Sequence, residues 1–220
     1  MNLLENICDK AKQLDKRIVL PEGISERTLK AADIILKEGY AQLILLGNLE
    51  EIQSLEHKFN LDLSAARKID PKTSPDKERY VQKLMELRKS KGITYEDAVK
   101  LIEQDIYYGP MMIYMGDADG EVSGAEHTTA DTVRPALQIV KTAPGISVVS
   151  GAMVMVTKKE NLGEKGVFIF ADVAITPNPT AEELAQIAVC SGDTARQIAG
   201  IENPRIALLS FSTKGSAKHE

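Results

Sequence analysis

The sequence predicts an α/β protein of two domains, with mostly parallel sheets and helices on both faces. Short apolar runs alternate with amphipathic helical segments through residues 1–59. Two of those runs, "RIVL" and "LILL", are apolar almost throughout rather than alternating, as strands buried on both faces are. Helical patterns dominate up to "KTAPG" (141–145) and β-rich segments follow, which sets the expected domains at 1–145 and 146–220.

The opening residues read as an amphipathic helix, with Leu3, Leu4, Ile7 and Ala11 near helical spacing. "RIVLPEG" follows as a strand closed by Pro21 and Gly23. "SERTLKAADIILKEGY" is the next helix, with Leu29, Ala32, Ile35 and Leu36 inside and Gly39 as its stop. "AQLILLGN" is a second buried strand, and Asn48 can cap the helix "LEEIQSLEHKF". Residues 74–117 are largely helical and charged, and Thr94 with Asp97 forms a variant capping box. Past the boundary, "ISVVSGAMVMV" and "GVFIFADVAI" are long apolar strands. Thr180 and Glu183 make a capping box for a helix that buries Leu184, Ile187 and Ala188. "RIALLSFSTKGSA" closes the chain as a buried strand running into a loop rich in hydroxyls and glycine.

Composition narrows the function. Hydrophobic residues make up 43% of the 220, enough for a packed core. The net charge of −5 and the lack of a basic face argue against nucleic acid, and 5% aromatics without Trp argue against base stacking. Local donors can still attract a small anion. Cys8 and Cys190 are too few for a disulfide framework or a zinc site, no two histidines are spaced as metal ligands, and a reducing cytoplasm is the expected setting. No signal peptide or membrane-length apolar run is present in the sequence.

No Gly-x-Gly-x-x-Gly, Walker or Gly-x-Ser-x-Gly motif occurs. The chemistry concentrates instead in "EVSGAEHTTADTVRPALQIVKTAPG" (121–145), where Ser123, Thr128, Thr129 and Thr132 surround His127 and Arg134 precedes Pro135. Hydroxyls and free backbone N–H groups where a helix begins make an anion site, and Arg134 adds a fork matched to phosphate. The alternative is plain capping by the threonines, with Arg134 paired to Asp131 or another acid. A second donor-rich loop holds Ser210, Ser212, Thr213, Lys214, Gly215 and Ser216 after an apolar run, the place where α/β sheets gather ligands. Two such loops favour a phosphate-bearing ligand. Arg88, among Lys83, Lys89 and Lys91, reads on spacing alone as part of a solvated helix face.

At these residues the sequence resembles the phosphate acetyltransferase (phosphotransacetylase) family. "VSGAEHTTADTVRPALQIVKTAPG", "FADVAITPNPTAEELAQIA" and "ALLSFSTKGSA" carry the likeness, and "LPEG", "DPKT" and "ELRKSKGIT" fit it, in order along the whole chain. The resemblance implies acetyl transfer between acetyl phosphate and coenzyme A by direct thiolate attack in a ternary complex. It also implies a homodimer of two α/β domains akin to isocitrate dehydrogenase, with the active site between them and no permanently bound cofactor. Arg88 and Arg134 would then bind phosphate or CoA anions, which reverses the solvated reading of Arg88. Ser123, Thr128, Thr129, Thr132 and the "STKGS" loop would line the same cleft.

The sequence departs from the family's pattern in two places. The family segment resembling "DLSRG", with a nearby aspartate proposed as thiol base, has no counterpart in these 220 residues, so a truncated chain is expected. His127 is the one candidate substitute base. Glu126 puts a carboxylate beside the expected anion site, where it is expected to point to solvent. Two other readings stand beside acetyl transfer: a phosphate butyryltransferase, and a non-catalytic ligand-binding or dimerising fragment.

Overall fold

The computed structural model describes residues 3–210, 212–216 and 218. The chain divides into two compact units, Met1–Lys141 and Thr142–Glu220. In the first, α1 (Leu3–Leu14) leads into β1 (Arg17–Leu20), α2 (Glu26–Glu38), β2 (Gln42–Leu46), α3 (Leu49–Phe59) and β3 (Arg67–Ile69). A helical run follows: α4 (Lys77–Arg88), a 3₁₀ turn over Lys89–Lys91, α5 (Tyr95–Ile102) and α6 (Asp105–Tyr114). The chain then returns through β4 (Gly120–Glu121) into α7 (Thr129–Ile139). The strands form one parallel sheet in the order β3-β2-β1-β4.

The apolar strands bury both their faces. Leu20, Leu43 and Leu45 pack with Leu29 and Ala32 of α2 and Ile52 of α3. Val19, Ile44, Leu46 and Ile69 pack on the other side with Tyr80, Leu84, Ile102, Tyr108 and Met111 from α4, α5 and α6. The caps form as the sequence predicts: Asn48 accepts from Glu51 N at 3.0 Å and Thr94 from Asp97 N at 3.1 Å. β3 and β4 have no signal in the sequence because three residues and two residues cannot display a period.

β1 and β4 pair over only two positions, Ile18 with Gly120 and Val19 with Glu121. A clamp at the amino end of the strands compensates. Arg17 Nε donates to Asp119 Oδ2 at 3.0 Å, and its other nitrogens reach the carbonyls of Asp117 and Gly116. The hydrogen bond from Arg17 holds the Asp119 carboxyl down at about 2.

The second unit departs from the expected parallel sheet. β5 (Ala152–Val156) and β6 (Val167–Ala171) pair antiparallel, Ala152 with Ala171 through Val156 with Val167. Continuous apolar runs indicate strands but do not specify the direction of the partner, and the polar stretch between these two returns the chain as a hairpin. α8 (Ala181–Gln197) carries the predicted box, with Thr180 Oγ1 accepting from Glu183 N and Glu183 Oε2 accepting from Thr180 N. The expected final strand does not form over residues 205–210: Ile206, Leu208 and Leu209 are exposed and unpaired. Phe211 and Ala217 of the same expectation lie outside the described residues.

At the carboxyl end of the sheet, Gly23 N donates to Leu46 O at 3.0 Å, so the loop after β1 lies directly on the end of β2. A Cβ on Gly23 would stand 2.3 Å from that oxygen. Gly23→Ala is therefore expected to force the two strand ends apart and lose about 1–3 kcal/mol, the usual cost of overpacking. Urea denaturation of the variant beside the wild type measures it, and an unchanged midpoint would show that the loops have slack.

Candidate functional site

In the β3-β2-β1-β4 order the chain runs outward from β1 through β2 to β3, then crosses back to place β4 on the other side of β1. The strand order reverses between β1 and β4, and ligands of open α/β sheets gather at the carboxyl ends of strands flanking such a reversal. Two loops meet there: Pro21–Ser25 after β1 and Val122–Thr128 after β4.

They meet on a carboxylate. Glu22 is 5% exposed. Its Oε2 accepts the backbone N–H groups of Gly124 and Ala125 at 3.0 and 2.8 Å. Its Oε1 accepts those of Glu126 and His127 at 2.8 and 2.9 Å, and His127 Nδ1 lies 2.9 Å from the same oxygen. Burial alone would raise the Glu22 pKa, but the backbone donors and the His127 ring win and hold it near 2, against an ordinary 4.5. The backbone amides of residues 124–127, in the loop before α7, are thus already taken by an internal anion.

The hydroxyls divide in a similar way. Thr128 caps α7, accepting from Asp131 N at 3.3 Å and donating to Asp131 Oδ2 at 2.7 Å. Ser123 Oγ and Thr132 Oγ1 stand 3.4 Å apart. Thr129 is exposed in the first turn of α7. The capping half of the plainer reading therefore holds, but its other half fails. Arg134 does not pair with Asp131; it is exposed and has no hydrogen bond or ion pair among the described residues. Arg88 ends α4, half-buried, also without an ion pair among them, and α4 packs on α7. Glu126 is exposed, as expected, and its Oε1 also accepts from Ser25 Oγ at 2.8 Å.

In the other unit, Thr213, Lys214, Gly215 and Ser216 form a tight exposed turn, with the half-buried Ser212 just before it. Lys214 and Gly215 both have positive φ, 54° and 73°, as in a type I′ turn. Thr213 N donates to Ser216 Oγ at 3.2 Å and Ser216 N to Thr213 O at 3.1 Å. With no strand over 205–210, this turn does not stand at a strand's carboxyl end, as the sequence reading required.

Sequence reasoning missed the acids around the first-unit site. Burial, reinforced by the charge of Glu22, pushes Glu121 up to about 8. Its Oε2 is buried without a hydrogen-bond partner among the described residues. Only a glycine leaves room for it, since a Cβ on Gly109 would stand 2.3 Å from that oxygen. Burial and the neighbouring Asp70 raise Asp105, the first residue of α6, to about 6, with Lys72 and His127 acting in the opposite sense. The signal that could have found Glu22 is its place in "LPEG", an acid directly after a buried strand. A cavity of about 510 Å³ with mostly apolar walls, among them Ile18, Leu20, Leu43 and Ile35, also touches Glu22 and Ser123. Among the described residues no acidic, histidine or cysteine cluster is placed to hold a metal ion, and no helix is long and apolar enough to cross a membrane.

A profile of the phosphate acetyl/butaryl transferase family matches residues 2–220. The chain belongs to that family. It is 55% identical over 220 residues to the phosphate acetyltransferase of Thermoanaerobacterium thermosaccharolyticum, covering all of this chain and 66% of the relative. With the phosphate acetyltransferase of Clostridium acetobutylicum the figures are 49%, all of this chain and 66%. The EutD phosphotransacetylase structure from Staphylococcus aureus superposes with a TM-score of 0.84 at 45% identity, over 99% of this chain and 63% of that one. The chain thus spans just under two thirds of the length of each of these three relatives.

The two carboxyls predict opposite pH responses. Glu22 has a depressed folded-state pKa, so its contribution is complete above about pH 4.5 and disappears as pH falls toward 2. In urea titrations Glu22→Gln should be less stable than wild type at pH 7, by on the order of 3 kcal/mol, with the gap closing by about pH 2. Glu121 has a raised pKa, so wild type should lose stability relative to Glu121→Gln as pH rises from about 4.5 to 8. A gap that is constant with pH in either comparison would remove the corresponding assignment.

Proposed function

We propose that this chain serves transfer of an acetyl group between acetyl phosphate and coenzyme A, the thiol attacking the acetyl carbonyl and phosphate leaving. The observation that carries the reading is Arg134, a permanent cation left without a counter-charge on the helix that leaves the β4 loop. Membership of the family and the acetyltransferase names of its relatives give that cation a substrate. Because Glu22 fills the loop's amides, the dianionic phosphoryl group falls to side chains: Arg134, with Arg88 and Thr129 as its companions. The apolar cavity beside Glu22 and Ser123 offers room for the uncharged part of the thiol substrate. In the same reading the enzyme is a cytoplasmic homodimer, coenzyme A is its co-substrate rather than a resident cofactor, and the Thr213–Ser216 turn contributes donors of its own.

The purified chain is to be mixed with acetyl phosphate and coenzyme A and thioester absorbance followed, with propionyl and butyryl phosphate in parallel. Acetyl phosphate is expected to be fastest. A preference for butyryl phosphate would move the chain to the other branch named in its family. Arg134→Ala should lower kcat/KM about 10²–10³-fold, the usual cost of removing a donor from developing negative charge. A folded Arg134→Ala variant with the wild-type rate would overturn the assignment.

A further inference from the structure

We infer that Glu121 is a proton-operated latch on the loop after β4. With its proton, the carboxyl stays sealed under α6 and the loop is closed; without it, the carboxyl leaves and residues 122–127 open with it. The latch itself works whatever ligand the site takes; that its opening disturbs phosphate binding rests on the acyl-transfer reading above.

An ionised Glu121 has no partner where it lies. Its Oε2 is buried and unbonded among the described residues. A Cβ added at Gly109 would stand 2.3 Å from that oxygen and 3.3 Å from Val19 Cγ1, so the carboxyl is wedged between α6 and β1 with no room for a bridging water. The nearby backbone has nothing to donate. Tyr108 N is spent on Gln104 O, Val122 N is spent on Val19 O, and Pro110 has no N–H. The amides of residues 124–127 all serve Glu22. A protonated carboxyl tolerates this place with one idle oxygen, whereas a carboxylate would be a buried charge without a donor.

Few charges face it. Glu22, at the end of β1, acts against ionisation. On α6, Asp105 lies one turn before Gly109 and is itself raised to about 6, and the hydroxyls of Tyr107 and Tyr108 are bonded to Gln138 and Ser74. In the loop, the His127 ring is engaged by Glu22, and Arg17 and Asp119 pair with each other at the amino end of the strands. Burial is the main cause that lifts Glu121 to about 8, and no cation opposes it among the described residues.

Little holds the stretch that would move. β4 pairs with β1 over two positions, and beyond them the loop is tied down by Val122 N on Val19 O and by Glu22. Ser123, Thr128 and the first turn of α7 ride on it. Closed, Glu121 keeps its proton up to about pH 8; open, only to its ordinary 4.5. The open form therefore gains about tenfold per pH unit between about 5 and 8, and no more above that.

Amide hydrogen exchange followed by NMR on the 220-residue chain reads this at Gly124, Ala125, Glu126 and His127, with rates corrected for the intrinsic pH dependence of exchange. Protection there should fall about tenfold per pH unit between about 5 and 8 and then level off. Low urea should leave it unchanged, because a local opening exposes little surface. Glu121→Gln keeps the shape without the charge, so its loop should hold one protection at every pH. Gly109→Ala puts a methyl group where Oε2 lies, so its loop should be open, with protection low and flat, while Ile44 and Leu45 of β2 stay protected. Loop protection that ignores pH overturns the latch, as does one that falls equally in Glu121→Gln through His127 or Asp105. So does a Gly109→Ala loop as protected as the wild type's. Loop exchange that merges with that of Ile44 and Leu45 and accelerates with urea also overturns it, since that is unfolding of the whole unit.

Discussion

The first unit turns on one carboxylate and the donors that surround it. β1 and β4 share two paired positions, too few to fix the approach of the loops that follow them. Glu22 supplies what the ladder lacks by drawing four consecutive backbone N–H groups, Gly124 to His127, onto one buried side chain. Hydrogen bonds to a charged acceptor are worth roughly 1.5–3 kcal/mol each before desolvation is subtracted. Several of them converging on one group can hold it ionised where burial would otherwise neutralise it. Arg17 and Asp119 do the matching work at the far end of the same strand pair. The two strands are therefore joined more by their ends than along their length.

This arrangement decides which groups remain for a ligand. The amides of residues 124–127, the Thr128 hydroxyl and the Ser25 hydroxyl are committed within the fold. Arg134 is not, and neither is the outer nitrogen of His127. A site made this way is preorganised: the donors that shape it are saturated, and the groups that meet substrate have no internal competitor to displace. The neighbouring Glu121 carboxyl, raised to about 8 by burial, lessens the negative charge that an incoming phosphate would face near neutrality.

Much of the first unit was legible because its strands are apolar and its helices amphipathic, patterns enforced by burial itself. Caps at Asn48, Thr94, Thr128 and Thr180 were legible for the same local reason, since each acts over three residues. Glu22 was not. Its partners stand 102 to 105 residues away, and nothing local distinguishes an acid bound for a buried nest from one bound for water. The backbone N–H groups of the donor-rich loop at residues 124–127 meet an anion of the chain's own, Glu22. The runs 152–156 and 167–171 were legible as strands without their direction, and 205–210 was apolar without being a strand. Hydrophobicity states that a segment gains by burial; it does not name the surface that will cover it.

The two sheets also differ at their margins. The parallel sheet ends on one side in three residues bearing Arg67 and Lys68 and on the other in two residues, so neither border offers a stretch of free backbone long enough to recruit another chain. The β5–β6 hairpin has no such guard: its five-residue strands each leave one border open among the described residues, and Met153, Val156 and Phe170 project from them more than half exposed. Of the two described sheets it is the hairpin that leaves paired apolar backbone open at its borders, so charge introduced there guards an edge that the first sheet already guards by its shortness.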